Sequence, residues 1–309
     1  MAPKSVLLFG ATGYIGGAFL SNLHARFGSK LGESFCITLA SRRTEKARKI
    51  QALIPGSTAI ELSLQDLVGL EEQSQKHDII VQIADCDDLE ATSAILRGMK
   101  TRRDVTGEPP ILYHTSGAAF LLEDLAGYSS ATVTSDLDSH KINAIPLDKP
   151  HRNVDDAIVK ADDAGHIRSY ILVPTVVFGK PSGLIHQQGL ANLTSMGIGA
   201  IISAALGRRA VGRVGPAETL WSLVHVDDVA SLLLAMVENP PLSHGRDGFY
   251  VAENGSRPIH PALHAAATVL YSMDLLDTDK PTLHAAEEPQ HHIVCPTLDL
   301  MNKLQDYTN

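Results

Sequence analysis

Two short stretches of this chain carry residue types and spacings that could do chemistry. The first is Gly10-Ala11-Thr12-Gly13-Tyr14-Ile15-Gly16, directly after the apolar run Val6-Leu7-Leu8-Phe9. An apolar helical pattern through Ile15, Phe19, Leu20 and Leu23 follows it. Strand, tight turn and helix N-terminus in that order make an anion cradle. Gly10 can take the positive φ of the turn, Gly13 lets backbone approach a pyrophosphate, and Gly16 lets the helix pack close to the sheet. The free N–H groups and the positive end of the helix dipole then face the phosphates. The pattern predicts a dinucleotide site that includes Gly10, Thr12, Gly13, Tyr14 and Ile15.

The second stretch ends the next apolar run, Phe35-Cys36-Ile37-Thr38-Leu39-Ala40, and reads Ser41-Arg42-Arg43-Thr44. A unit that binds NAD places an acid here to accept hydrogen bonds from the adenosine ribose. Two guanidiniums and two hydroxyls instead suit a 2′-phosphate, which would repel a carboxylate. Ser41, Arg42 and Arg43 therefore point to NADP(H). The plainer alternative is that both arginines open a solvated helix face with Lys46, Arg48 and Lys49.

These residues need a scaffold, and the chain alternates apolar strands with amphipathic helices. Further strands are expected at 58–62, 78–84, 111–116 and 169–174, with helices over 64–75, from Leu89, and after His151. That alternation predicts an α/β, Rossmann-type doubly wound parallel sheet covered on both faces. Past Gly179, Pro181 and Gly183 the rhythm decays into a Gly/Ala-rich helical stretch from about Leu184 to Leu206. The expected organisation is a dinucleotide-binding unit over 1–178, with an insertion at 120–150. Residues 179–309 would form a small, mainly substrate-binding lobe packed on it.

Composition fits a soluble enzyme of the cytoplasm that takes a small-molecule substrate. The chain is 309 residues long and 44% hydrophobic, enough for a large core. A formal charge of −9 argues against a nucleic-acid or anionic-membrane surface. No run is apolar for long enough to span a bilayer, and strand sequence from Ser5 leaves no room for a secretory leader. A monomer or homodimer is expected. Cys36, Cys86 and Cys295 are scattered without metal spacing, and the first two read as buried thiols of a reducing compartment. His284, His291 and His292 lack helical spacing and a carboxylate partner, so no metal is expected.

The glycine motif, Thr115-Ser116-Gly117 and Val224-His225-Val226-Asp227-Asp228-Val229-Ala230 resemble the extended short-chain dehydrogenase/reductases. Within them, His151-Arg152-Asn153-Val154-Asp155 and Gly248-Phe249-Tyr250-Val251-Ala252-Glu253-Asn254-Gly255 resemble fungal NAD(P)-binding proteins of nucleoside-diphosphate-sugar epimerase-like type. The resemblance spans about residues 4–270, and the sequence from Thr278 onward departs from it. It implies that Pro174, Thr175 and Val176 line the nicotinamide pocket, that Ala84 and Asp85 belong to the cofactor site, and that Ser116 or Gly117 stands at the substrate. It also implies a Tyr-x-x-x-Lys pair that gives the proton, yet none of the seven tyrosines here has a lysine four residues on. In register, His151 stands for the tyrosine and Asp155 for the lysine. Four residues apart on a helix, the two would share a face, and the carboxylate would orient the ring and favour imidazolium. Alternatively, His151 only starts a helix after Pro150, and Asp155 only favours its positive end. His225 to Asp228 reads as a strand running into a helix capped by Asp227.

Two functions follow. One is an NADP(H)-dependent oxidoreductase acting on a carbonyl, imine or related group, of the kind used in secondary metabolism, with His151, Asp155 and Ser116 as candidate catalytic residues. The other is a non-redox isomerase or cyclase, or an NADP(H)-sensing binding protein, on the same fold.

Overall fold

A computed structural model describes residues 2–123 and 125–284. Its centre is a seven-stranded sheet in which every pairing is parallel: β1 (Lys4–Phe9), β2 (Phe35–Ser41), β3 (Ser57–Glu61), β4 (Ile79–Gln82), β5 (Ile111–Thr115), β6 (Arg168–Pro174) and β10 (Phe249–Ala252). The spatial order is β10-β6-β5-β4-β1-β2-β3. The chain runs outward one way from β1 to β3 and the other way from β4, so the order reverses between β1 and β4. In open parallel sheets, ligands sit beyond the carboxyl ends of the strands at that reversal.

Continuous apolar runs make these strands because both faces are covered. In β1, Val6 and Leu8 join a core with Phe19, Leu20 and Leu39, while Leu7 and Phe9 join a second core with Leu70, Ile80, Ile95 and Ile158. The period of two thus sends alternate side chains to opposite layers. The covering helices are α1 (Tyr14–Phe27), α2 (Leu31–Ser34), α3 (Thr44–Leu53), α4 (Leu67–Ser74), α5 (Leu89–Thr106) and α7 (Arg152–Asp163), joined later by α10 (Val226–Glu238). Helix α5 shows how sequence sets the ends: Asp88 accepts from the Ala91 amide, and Gly107 closes the helix at φ 80°.

Beyond β6 the pieces are smaller. Strands β7 (Val176–Phe178), β9 (Leu220–His225) and β11 (Ser256–Pro258) form a three-stranded sheet, and β8 (Gly212–Arg213) pairs with β12 (Thr282–Leu283). Ala205, Val211, Ala217, Leu263, Ala267, Leu270 and Leu276 pack as a third apolar cluster with α9 (Met196–Arg208) and α11 (His260–Ser272). Among its described residues, the insertion holds α6 (Ser139–Asn143) and a turn of 3₁₀ helix at Ala118–Leu121. It packs on the β10 edge, where Asp136 accepts from the Val251 amide, and Asn143 donates to the Arg246 carbonyl.

Three expectations need correcting. The Gly/Ala-rich stretch is two helices, α8 (Leu184–Gln187) and α9, because Gly189 turns left-handed at φ 68° between them. Cys36 is exposed and Cys86 only half-buried, so neither is a core thiol. Helix α10 is capped by His225, whose Nδ1 accepts from the Asp227 amide, rather than by Asp227. Among the described residues no helix is long and apolar enough to cross a membrane. His291, His292 and Cys295 lie outside the described residues.

Candidate active site

The glycine turn has the geometry its sequence predicts. Gly10 sits at φ 88°, and its amide neighbour in the turn, Gly13, donates to the Gly10 carbonyl at 2.9 Å. A Cβ at Gly16 would fall 2.0 Å from the Gly10 oxygen, and one at Gly10 would fall 2.8 Å from the Ile83 carbonyl. Backbone blocks both positions, so only glycine serves. Helix α1 starts at Gly13 with no side-chain cap, which leaves its first amides for a ligand. This fits the pyrophosphate of a dinucleotide. Its far side is braced by later chain. The Asn192 amide donates to the Thr12 carbonyl at 3.0 Å, the Tyr14 hydroxyl donates to the Gly179 carbonyl, and Ser21 Oγ accepts from the Ile185 amide. Burial pushes the Tyr14 phenol up to about 12, with the Asp227 charge adding to it. At the end of β2, Ser41 Oγ donates to the Arg43 carbonyl at 2.8 Å. Arg42 and Arg43 are exposed, and among the described residues neither guanidinium has a hydrogen-bond or ion-pair partner.

The loop after β4, the end of β5 and the start of α7 converge on a second group. His151 is the N-cap of α7 and holds φ 67°, a left-handed conformation that histidine visits more readily than most side chains. Its ring does not cap the helix. Nδ1 lies 2.7 Å from Asp87 Oδ1 and 3.4 Å from Cys86 Sγ. The opposite edge lies over Gly117: a Cβ there would be 3.0 Å from Nε2. The imidazole therefore takes space that a side chain at 117 would need. Nε2 has no partner among the described residues. Burial acts to raise the Asp87 carboxyl, but the hydrogen bond and charge of His151 outweigh it and hold the group below its ordinary value. Burial first, and then Asp87, Asp85 and Asp155, push the Cys86 thiol far up.

Behind this pair lies a buried polar cluster in which His114 Nε2 and Asp155 Oδ1 make no hydrogen bond. Ser116 Oγ donates to Asp155 Oδ2 at 3.2 Å. Asp155 is fully buried, with Arg152 at 3.6 Å and His114 Nε2 at 3.9 Å. The Arg152 guanidinium lies between the rings of Phe120 and Phe249, 5.7 and 5.6 Å from their centroids. His114 Nδ1 faces Gln82 Oε1 at 3.3 Å. Burial pushes Asp155 up to about 6 against the opposing pull of Ser116, Arg152 and His151. It pushes His114 down to about 3, with His151 adding to the effect, so that ring is neutral.

Most of the residues singled out by sequence thus lie along the carboxyl edge of the sheet, but one pairing differs. The Asp155 carboxylate is not the partner of the His151 ring; the Asp87 carboxylate is, and Asp155 meets His151 through its backbone amide, which donates to the His151 carbonyl at 3.0 Å. His151 stands at the cap, outside regular helical geometry, so the rule that residues four apart share a face does not reach it. Asp155 turns inward to Ser116 and Arg152. Asp85 stays in its own loop, its Oδ1 accepting from the Asp87 amide, and Ala84 follows the Ile83 carbonyl against which Gly10 packs. Thr175 bonds through Oγ1 to the Ala252 carbonyl at 3.0 Å, between Pro174 and Val176. Sequence reasoning missed Cys86 and Asp87, which have no local signature and meet His151 only through the fold.

No family model matches the chain. It is 24% identical over 272 residues to the oxidase ucsJ of an Acremonium species, covering 82% of this chain and 74% of that protein. Solved structures share its shape. One is the Bordetella bronchiseptica enzyme WbmH in complex with NAD+, with a TM-score of 0.55 and 14% identity over 92% of this chain and 86% of that one. Another is a Pseudomonas aeruginosa nucleoside-diphosphate-sugar epimerase, with a TM-score of 0.57 and 14% identity over 99% and 85%. A third is the Bacillus cereus UDP-glucuronic acid 4-epimerase with UDP-glucuronic acid and NAD, with a TM-score of 0.57 and 15% identity over 97% and 96%. The glycine turn, the parallel sheet and these likenesses together give the chain the Rossmann-type fold of the nucleoside-diphosphate-sugar epimerases.

Proposed function

We propose that the chain is an NADP(H)-dependent oxidoreductase that acts on a small-molecule carbonyl, imine or related group, with His151 as proton donor. The observation that carries this reading is the His151 ring, held through Nδ1 by Asp87 while Nε2 is left unpartnered at the carboxyl edge of the sheet. Gly10, Thr12, Gly13, Tyr14 and Ile15 would hold the pyrophosphate side of the dinucleotide. Ser41, Arg42 and Arg43 would take the 2′-phosphate, and Ala84, Asp85, Pro174, Thr175 and Val176 would line the remainder. The bound nicotinamide supplies or accepts the hydride. The protein's own part is the proton. Asp87 stabilises the imidazolium and fixes its orientation, so that Nε2–H is the hydrogen given to the substrate oxygen or nitrogen. Ser116 donates its hydroxyl proton to Asp155, which leaves its lone pairs to accept from the substrate.

The fungal oxidase relative and the NAD-bound epimerase supports the redox class. The lack of any Tyr-x-x-x-Lys pair favours a second reading, a non-redox isomerase, cyclase or cofactor sensor on the same pocket. Single-turnover mixing of NADPH-loaded protein with a carbonyl and imine panel, read by nicotinamide absorbance, separates the two. Oxidation that His151→Phe slows supports the reductase, and a panel that leaves NADPH intact makes the second reading the better one.

A further inference from the structure

Cys86 has no part in that chemistry, yet its Sγ lies 3.4 Å from the same Nδ1 that Asp87 Oδ1 approaches at 2.7 Å. The three donor atoms all lie within 4.8 Å of one another. One sulfur, one imidazole nitrogen and one carboxylate oxygen suit a borderline-soft divalent cation rather than magnesium or calcium, which take oxygen. We propose that Cys86, Asp87 and His151 form a zinc-class metal site whose occupancy switches off the acid at His151.

The geometry needs little adjustment. In a tetrahedral zinc site with Zn–S about 2.3 Å and Zn–N about 2.0 Å, sulfur and nitrogen stand about 3.5 Å apart. The nitrogen–oxygen contact must open by roughly 0.6 Å to about 3.3 Å. Asp87, with its side chain 44% exposed, has room to swing. Three protein ligands and an open fourth position make a site that keeps a water or takes an outside ligand. On binding, the thiol proton leaves for solvent, the neutral ring moves its proton from Nδ1 to Nε2, and the Nδ1 lone pair goes to the metal. Thiolate and carboxylate balance the dication. A ring ligated at Nδ1 no longer takes up the second proton that makes imidazolium, and Asp87 is drawn away from it. That consequence rests on the proposed role of His151; the binding itself does not.

The test uses the whole protein, stripped with chelator and titrated with Co2+ without substrate. One tightly bound Co2+ is expected, with a thiolate-to-cobalt charge-transfer band, tetrahedral d–d bands, and loss of both on adding Zn2+. Cys86→Ser should abolish the charge-transfer band, and Asp87→Asn should weaken Co2+ binding at least tenfold. Zn2+ should inhibit turnover of the wild type and spare Cys86→Ser. Absence of the charge-transfer band, or a band that survives Cys86→Ser and vanishes in Cys36→Ser, overturns the site. Full turnover with the site filled overturns the switch. A filled site in a protein that oxidises no NADPH upholds the site and refutes the reductase.

Discussion

The buried pair Asp155 and His114 should leave a signature in the pH dependence of folding. Burial raises Asp155 from 3.8 to about 6, which corresponds to about 3 kcal/mol. Between about pH 4 and 6 the folded chain keeps a proton that the unfolded chain has released, so this contribution falls as pH rises. His114 moves the other way, from 6.5 to about 3, which corresponds to about 5 kcal/mol. Over that range the unfolded chain binds a proton that the folded chain refuses, so its contribution rises with pH. From pH 4.5 to 6 the two slopes oppose and nearly cancel. Asp155→Asn keeps an acceptor for Ser116 and removes one slope only. The variant should therefore gain about 1 kcal/mol per pH unit relative to wild type, roughly 1.5 kcal/mol across the window, because the folded Asp155 starts to lose its proton as pH nears 6. Exchanging the neutral carboxyl beside Arg152 for an amide shifts stability by an amount that does not depend on pH, so the slope carries the answer rather than the offset. Urea unfolding of both proteins at several pH values measures it. Parallel slopes, or a variant flatter than wild type, would refute the reasoning.

Four further outcomes are expected. Arg42→Ala with Arg43→Ala should weaken NADPH binding by roughly 10- to 150-fold, from the loss of about 1.5–3 kcal/mol, and leave NADH binding nearly unchanged in titration calorimetry. Gly16→Ala, whose methyl would meet the Gly10 carbonyl, should abolish detectable binding of both nucleotides; retained affinity by the same method would show that the turn does not hold them. His151→Phe should lower single-turnover NADPH oxidation by roughly 10²–10⁴-fold. Asp87→Asn should cost it about 10- to 100-fold, from the loss of a charge-assisted hydrogen bond.

What the sequence disclosed and what it hid divide along the range of the interactions. The turn at Gly10 to Gly16 and the run of parallel strands are local patterns, and period and glycine spacing announce them. Arg42 and Arg43 follow a strand end that the same pattern locates. The contact between Asp87 and His151 joins residues 64 apart and exists only once β4, β5 and α7 are assembled. Asp155 was legible as a functional candidate but not as a partner of Ser116, because helical spacing counted from His151 fails where that residue leaves the helix at φ 67°. Cys36 misled for a related reason: β2 buries Phe35 and Ile37 and turns the residue between them outward.

The segment from Gly179 to Asn192 runs as a splint along the first helix. It touches Tyr14 at one end, Ser21 in the middle and the Thr12 carbonyl at the other, while Ala191 fills the hollow over Gly17, where a Cβ would be 2.5 Å from it. Glycine turn, first helix and splint are thus held together at four points. Gly17 then has a task separate from that of the glycine turn. It keeps the two lengths of chain in contact, and a methyl there would wedge them apart at Ala191 while leaving Gly10, Gly13 and Gly16 as they are.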